Sequence, residues 1–268
     1  MNNEYQFIKE IREQPNKISE SLMHADKNLK DIAERYSQQI ERVIMVGRGD
    51  PYMLGIGATY AFEKWAQLPS ESIEAAEFTN YRHNLIDERT LVILISSSGK
   101  TVKVIDAARL AAQKGAPRFS LTNLNPSPIT DETDEVIHTQ AGWSDSFPTK
   151  QTTTALANLY ALALHIAEAR HTCSAQDISI LRQELYFDIP KAIGKDNFVS
   201  IEIIRNNNIL TKNFELEFNE GLNKYIMGIS STENPIINRY YLKDSLKNSF
   251  LFIPNYYLAT IHYLRNSI

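Results

Sequence analysis

Apolar residues recur along this chain in two rhythms. From about residue 5 to 40 they fall at helical spacing, and Ile18, Leu22, Leu29, Ile32 and Tyr36 share one face. Pro15 disfavours helix at the residue before it, so the pattern predicts two helices parted near Gln14-Pro15-Asn16. Short β-rich runs then alternate with longer helical ones. Arg42-Val43-Ile44-Met45-Val46 ends at Gly47, and a helix is expected from about 52 to 68, stopped by Pro69. Leu91-Val92-Ile93-Leu94-Ile95 is too continuously apolar for a half-exposed strand and reads as a buried parallel one. A helix from about 101 to 114 follows, with Gly115 as its C-terminal cap. Strands are expected at 118–122 and 135–139, and a long Ala/Leu-rich helix over about 150–169. Alternating strands and helices predict a parallel sheet covered by helices on both faces.

The pattern changes near Gly194. Ala259 is the only alanine beyond Ala192. Two β-rich runs, 198–204 and 210–218, flank Arg205-Asn206-Asn207-Asn208, a hairpin signal because asparagine tolerates positive φ. A helix is expected after Asn238. The reading is therefore an α/β domain over 1–193 and a small α+β appendage over 194–268.

Composition narrows the function classes. The 268 residues are 43% hydrophobic and 22% charged, which is ordinary for a soluble globular protein. A net charge of -4 argues against a nucleic-acid binder. The single cysteine, Cys173, gives no reason to expect an oxidising compartment. There is no signal-peptide pattern and no apolar run of membrane-spanning length, so a cytoplasmic protein without a membrane partner is expected.

The chemistry concentrates in Ser96-Ser97-Ser98-Gly99-Lys100-Thr101, between a buried strand and a helix. Hydroxyls donate hydrogen bonds, glycine allows close backbone approach, and the first N–H groups of the helix face outward, an arrangement suited to a phosphate. A Walker loop would need glycine where Leu94 stands. The stretches Gly47-Arg48-Gly49 and Gly55-Ile56-Gly57 lack the third glycine of a dinucleotide fingerprint. Taken locally, the serine loop also reads as a plain helix N-cap.

Several motifs resemble the sugar-isomerase (SIS) domain family, in particular the isomerase domain of glucosamine-6-phosphate synthase. These are Ile11-Arg12-Glu13-Gln14-Pro15, Gly47-Arg48-Gly49-Asp50-Pro51-Tyr52, Glu74-Ala75-Ala76-Glu77-Phe78, the serine loop, and Ser146-Phe147-Pro148-Thr149-Lys150, in order over about residues 1–193. The resemblance implies a three-layer α/β sandwich with a five-stranded parallel sheet, a phosphosugar ligand, no cofactor and a homodimer. It carries Ser96, Ser98 and Thr101 over as phosphate ligands, with Ser97 adding a contact. Gly49, Asp50 and Lys150 become candidates for the sugar. Asp50 and Pro51 depart from the family's Thr-Ser, and Lys150 also reads as an exposed first-turn lysine.

Aldose–ketose isomerisation needs a base to move a proton between adjacent carbons. Glu63, off the Leu54, Ala58, Ala61, Trp65 stripe, and Glu77 are the candidates; each also reads as a solvated or helix-starting glutamate. His83 and His138 are candidates for ring opening. No histidine or cysteine cluster has metal-ligand spacing, so no metal is expected. Many relatives carry a second SIS domain with further catalytic groups, and here the resemblance stops near Pro190-Lys191-Ala192-Ile193. The tail, with Lys224-Tyr225-Ile226-Met227-Gly228-Ile229-Ser230, resembles the PDZ region of site-2-type membrane proteases, although no H-E-x-x-H motif is present. The expected function is an aldose–ketose isomerase or aminosugar-phosphate-processing enzyme. The alternatives are a non-catalytic phosphosugar-binding module used for sensing and an inactive truncated fusion.

Overall fold

The computed structural model describes residues 6–144, 148–190, 198–205, 208–215, 217–219 and 224–226. Contacts divide the chain into two compact units, Met1–Pro190 and Lys191–Ile268. In the first, helix α1 (Gln6–Tyr36) leads into β1 (Arg42–Gly47), α2 (Asp50–Lys64), β2 (Ser70–Glu74) and a short turn α3 (Ala75–Glu77). Then come β3 (Thr90–Ile95), α4 (Val102–Gln113), β4 (Arg118–Thr122), β5 (Glu135–His138), α5 (Thr149–Arg170) and α6 (Ala175–Gln183). Every strand pair is parallel, in the order β2-β1-β3-β4-β5.

Alternation along the strands divides the core in two. Ile44, Val46, Val92 and Leu94 pack with Val104, Ala107, Ala108 and Ala111 of α4 and with Phe78. Met45 faces α2, where Gly55 brings the helix backbone close to the strand. The result is a three-layer α/β sandwich. Helix α4 ends in a Schellman turn: Gly115 N–H donates to Ala112 and Ala116 N–H to Ala111, with Gly115 at φ 69°.

The predicted break at Pro15 does not occur. Pro15 lies inside a single 31-residue helix. An internal proline costs about 3 kcal/mol. Burial of Ile18, Leu22, Leu29 and Ile32 against the domain contributes roughly 1.5–3 kcal/mol each, so packing outweighs the local rule. Strand β2 was not anticipated; it is an edge strand of sequence Ser-Glu-Ser-Ile-Glu with only Ile73 buried.

Helix α5 is buried through most of its length, polar residues included. Its polar side chains meet α1 at a nearly constant offset. Lys150 Nζ donates to Glu13 at 2.6 Å, Asn158 Nδ2 to Ser21 Oγ at 2.7 Å, and His165 Nε2 to Asp26 Oδ1 at 3.0 Å. The two helices therefore run parallel and in register. Tyr186, in the turn after α6, donates a second hydrogen bond to Asp26 Oδ1.

In the second unit, β6 (Phe198–Arg205) and β7 (Asn208–Glu215) pair antiparallel from Phe198↔Glu215 to Arg205↔Asn208, the expected hairpin. Two further short strands, β8 (Glu217–Asn219) and β9 (Lys224–Ile226), also pair antiparallel. The helix expected after Asn238 lies outside the described residues.

The His165 site makes stability depend on pH. Burial lowers the His165 pKa from 6.5, outweighing the opposing hydrogen bond and charge of Asp26; Arg182 lowers it further, whereas Glu168 raises it. Burial alone would raise the Asp26 pKa, but hydrogen bonds from Tyr186 and His165 bring it below its usual value. Both groups resist protonation in the folded chain. Their stabilisation is present above the ordinary histidine and aspartate values and is lost as pH falls through them. The melting temperature should therefore drop between pH 7 and pH 5, with a second loss below pH 4. His165→Gln should lower stability at pH 7 and flatten the first drop. An unchanged slope between pH 7 and 5 would assign the acid sensitivity elsewhere.

Candidate functional site

The serine loop joins β3 to α4 at the carboxyl edge of the sheet, where ligands of parallel α/β folds bind. Its backbone is fixed from several sides. Gly99 N–H donates to the Ser96 carbonyl, Asn123 N–H to the Ser97 carbonyl, and Ile129 N–H to the Gly99 carbonyl. Gly99 has φ 63°, and a Cβ there would lie 2.1 Å from Ser127 Oγ. Only glycine combines that φ with that proximity.

The four predicted phosphate ligands have different surroundings. Ser96 is 2% exposed, and its hydroxyl lies 3.0 Å from Thr101 Oγ1. Ser97 is half-buried, its carbonyl held by Asn123. Ser98 is exposed, and its hydroxyl accepts from Lys100 N–H at 3.2 Å. Thr101 occupies the N-cap position of α4, yet its side chain makes no hydrogen bond to the helix. It turns to Ser96, so the start of α4 has no side-chain cap, and Val104 N–H donates to the Thr101 carbonyl. A plain side-chain N-cap is thus not what these residues form.

Two more helices begin at this edge without a side-chain cap, α2 at Gly49 and α5 at Pro148. By contrast, Glu74 caps α3 and Ser174 caps α6. These N-termini differ in what they offer an anion: a helix end such as that of α4 is worth about 0.3–1 kcal/mol, whereas α2 carries in its first turn the Asp50 carboxylate and Pro51, which has no N–H.

The other candidates separate. Gly49, at φ 66°, and Asp50, in the first turn of α2, stand at the end of β1, beside the serine loop. Lys150 is neither exposed nor open to a ligand; it is 5% exposed and held by Glu13, whose carboxyl the Lys150 hydrogen bond keeps below its usual pKa. Glu63 is exposed in the last turn of α2. At 1.5 Å per residue it lies about 20 Å along the helix from Asp50 and the ligand edge. Glu77 follows β2 at the ligand edge, is exposed, and pairs with Arg82 at 3.4 Å. His83 is half-buried. His138 donates from Nε2 to the Asn123 carbonyl at 2.9 Å.

Sequence reasoning missed Asn123. Besides its bond to Ser97, its side chain accepts from Ala141 N–H and Thr139 Oγ1 and donates to the Gly142 carbonyl. It ties the loops after β3, β4 and β5 together. Its position just beyond an apolar strand was the available signal, but its partners are distant in sequence. Among the described residues, no group of three His, Cys, Asp or Glu could hold a metal ion. No helix among them is long and apolar enough to cross a membrane.

Residues 37–165 match the model of the SIS domain family. The chain is 33% identical over 187 residues to a glutamine–fructose-6-phosphate aminotransferase (isomerizing) of Clostridium tetani, covering 67% of this chain and 31% of that protein. The chain belongs to the SIS-domain family.

The namesake enzyme of Mycolicibacterium smegmatis is 35% identical over 189 residues, 68% of this chain and 30% of its own length. The chain thus spans about a third of the curated relatives it matches. Among solved structures, the C-terminal domain of glucosamine-fructose-6-phosphate aminotransferase from Francisella tularensis superposes with a TM-score of 0.65 at 27% identity, over 71% of this chain and 55% of that one. A glucosamine-6-phosphate deaminase from Thermotoga maritima shares the fold at a TM-score of 0.54 and 24% identity, over 69% of this chain and 55% of that one. The SIS domain here is homologous to the C-terminal isomerase domain of the aminotransferases.

The braced glycine gives a stability test. Gly115 also has positive φ, but a Cβ there would meet nothing within 4 Å. Gly115→Ala should cost about 1–2 kcal/mol, the left-handed penalty alone. Gly99→Ala should cost clearly more in urea unfolding, because Ser127 stands in the way. Equal costs would mean that Ser127 moves aside.

Proposed function

We propose that the SIS domain of this chain binds the phosphate of a phosphosugar and acts as a binding module, without completing catalysis alone. The reading is carried by the arrangement at Thr101, whose hydroxyl turns from the helix to Ser96 and leaves the N–H groups that start α4 without a side-chain cap beside the exposed Ser98. In this reading Ser98, Thr101 and those N–H groups hold the phosphate, with Ser97 contributing a contact. Ser96 orients Thr101. Gly49 and Asp50 meet the sugar, and Lys150 supports α5 through Glu13.

The distance of Glu63 from the ligand edge and the ion pair of Glu77 favour binding over turnover. Isomerisation remains the second reading, since Glu77 does lie at the ligand edge and the relatives are isomerizing aminotransferases. A homodimer in the cytoplasm, free of nucleic acid, completes the proposal. The 194–268 appendage is taken as a separate domain.

Calorimetry with fructose 6-phosphate tests the reading. Each hydrogen bond to a charged phosphate is worth roughly 1.5–3 kcal/mol, so Ser98→Ala should weaken binding about tenfold or more. Glu63→Gln and Glu77→Gln should leave binding unchanged, with no isomerisation by the wild-type chain to lose. Turnover that disappears in Glu77→Gln would establish the isomerase instead. Binding indifferent to Ser98→Ala would remove the ligand from the serine loop.

A further inference from the structure

A recess of about 280 Å³ opens beside the serine loop, lined by Asn123, Leu124, His138, Gln140, Gly142 and Trp143. It lies at the carboxyl ends of β4 and β5, and one of its walls is the Asn123 whose N–H holds the Ser97 carbonyl. Strands pair about 4.8 Å apart, so the recess stands one to two strand spacings, about 5–10 Å, from the serine loop. That is within the span of one hexose phosphate seated on the loop. The volume lies below the range of pockets that enclose a whole ligand, so it suits a substituent.

Its chemistry is part apolar and part amide-like. Trp143 is 73% exposed, an uncommon state for an indole, and Leu124 is partly exposed beside it. The Asn123 side chain accepts from Thr139 and Ala141 and donates one N–H to Gly142, so it is held in place as part of the wall. A carbonyl only accepts, so His138 Nε2 carries the hydrogen it donates to Asn123. In the neutral ring Nδ1 is then an acceptor for a ligand N–H. At the rim Gln140, exposed and held at φ 51°, offers a carboxamide that pairs with another amide.

We infer that this recess receives the acyl group of an N-acylated aminosugar phosphate, with the acyl methyl against Trp143 and the amide between His138 and Gln140. This deepens the phosphosugar reading and rests on it. A free ammonium at the same position would lose hydration to an apolar wall, although an indole face also attracts cations, so the two ligands must be compared directly.

The test is calorimetry on the full chain with N-acetylglucosamine 6-phosphate and glucosamine 6-phosphate, using wild type, Trp143→Ala, Gln140→Ala and Ser98→Ala. Burying the methyl group and pairing the amide should make the acetylated ligand bind about tenfold tighter. Trp143→Ala and Gln140→Ala should each reduce that preference while leaving glucosamine 6-phosphate nearly unchanged. Ser98→Ala should weaken both ligands alike. Equal affinities, or a preference for the free amine, together with a Ser98 effect would overturn the acyl assignment and leave the phosphate reading standing. Failure of wild type to bind either ligand would overturn both.

Discussion

Parallel pairing of β1, β3 and β5 forces the helix after each strand to begin at one edge of the sheet. A helix cannot satisfy its own first N–H groups. Elsewhere in this domain the side chains of Glu74 and Ser174 supply missing acceptors, but at α2, α4 and α5 no side chain at the cap position does so, and only the cap carbonyl accepts. The polarity of that edge is a consequence of topology, and the identity of the residues then decides how it is used. In the serine loop one hydroxyl, Ser98, is exposed, while Ser96 is buried against Thr101 and Gly99 is closed in by Ser127.

That place is precise because it is braced from below. The serine loop touches the loops after β4 and β5 through Asn123, and Ser127 fills the space that any side chain at Gly99 would need. Few of these contacts involve groups that face solvent. The buried Ser96 pairs with the half-buried Thr101, and Ser98 is the most exposed serine of the loop. If this loop holds an anion, as we propose, it does so without needing a base, in keeping with the distance of Glu63 and the ion pair of Glu77.

Much of this was legible in the sequence. Strands β1 and β3 are central and buried, so their sequences are almost continuously apolar, whereas β4 buries Ser120 and Thr122 beside Phe119 and Leu121. Strand β2 escaped notice because an edge position tolerates its two glutamates and two serines. The serine loop could be read because strand, loop and helix are consecutive. The division of labour within it could not, since burial of Ser96 depends on the assembled fold. Pro15 and Lys150 were misjudged for a common reason. The face of α1 around Pro15 packs on a domain formed later in the chain, and the partner of Lys150 is 137 residues away, beyond any local rule.

The constant offset between α1 and α5 has a further consequence. A seam of leucines tolerates sliding, because one leucine replaces another. Here Glu13, Ser21 and Asp26 must each arrive opposite Lys150, Asn158 and His165. A slip by one turn would strand several of these groups, at roughly 1–3 kcal/mol for each one left buried and unpaired. The three pairs act as teeth that admit one alignment. Substitutions that keep a donor facing an acceptor remain open to this lineage, whereas inserting a single residue between Ser21 and Asp26 would turn half of α1 by about 100° against its partner. In this helix, then, length is more tightly constrained than composition.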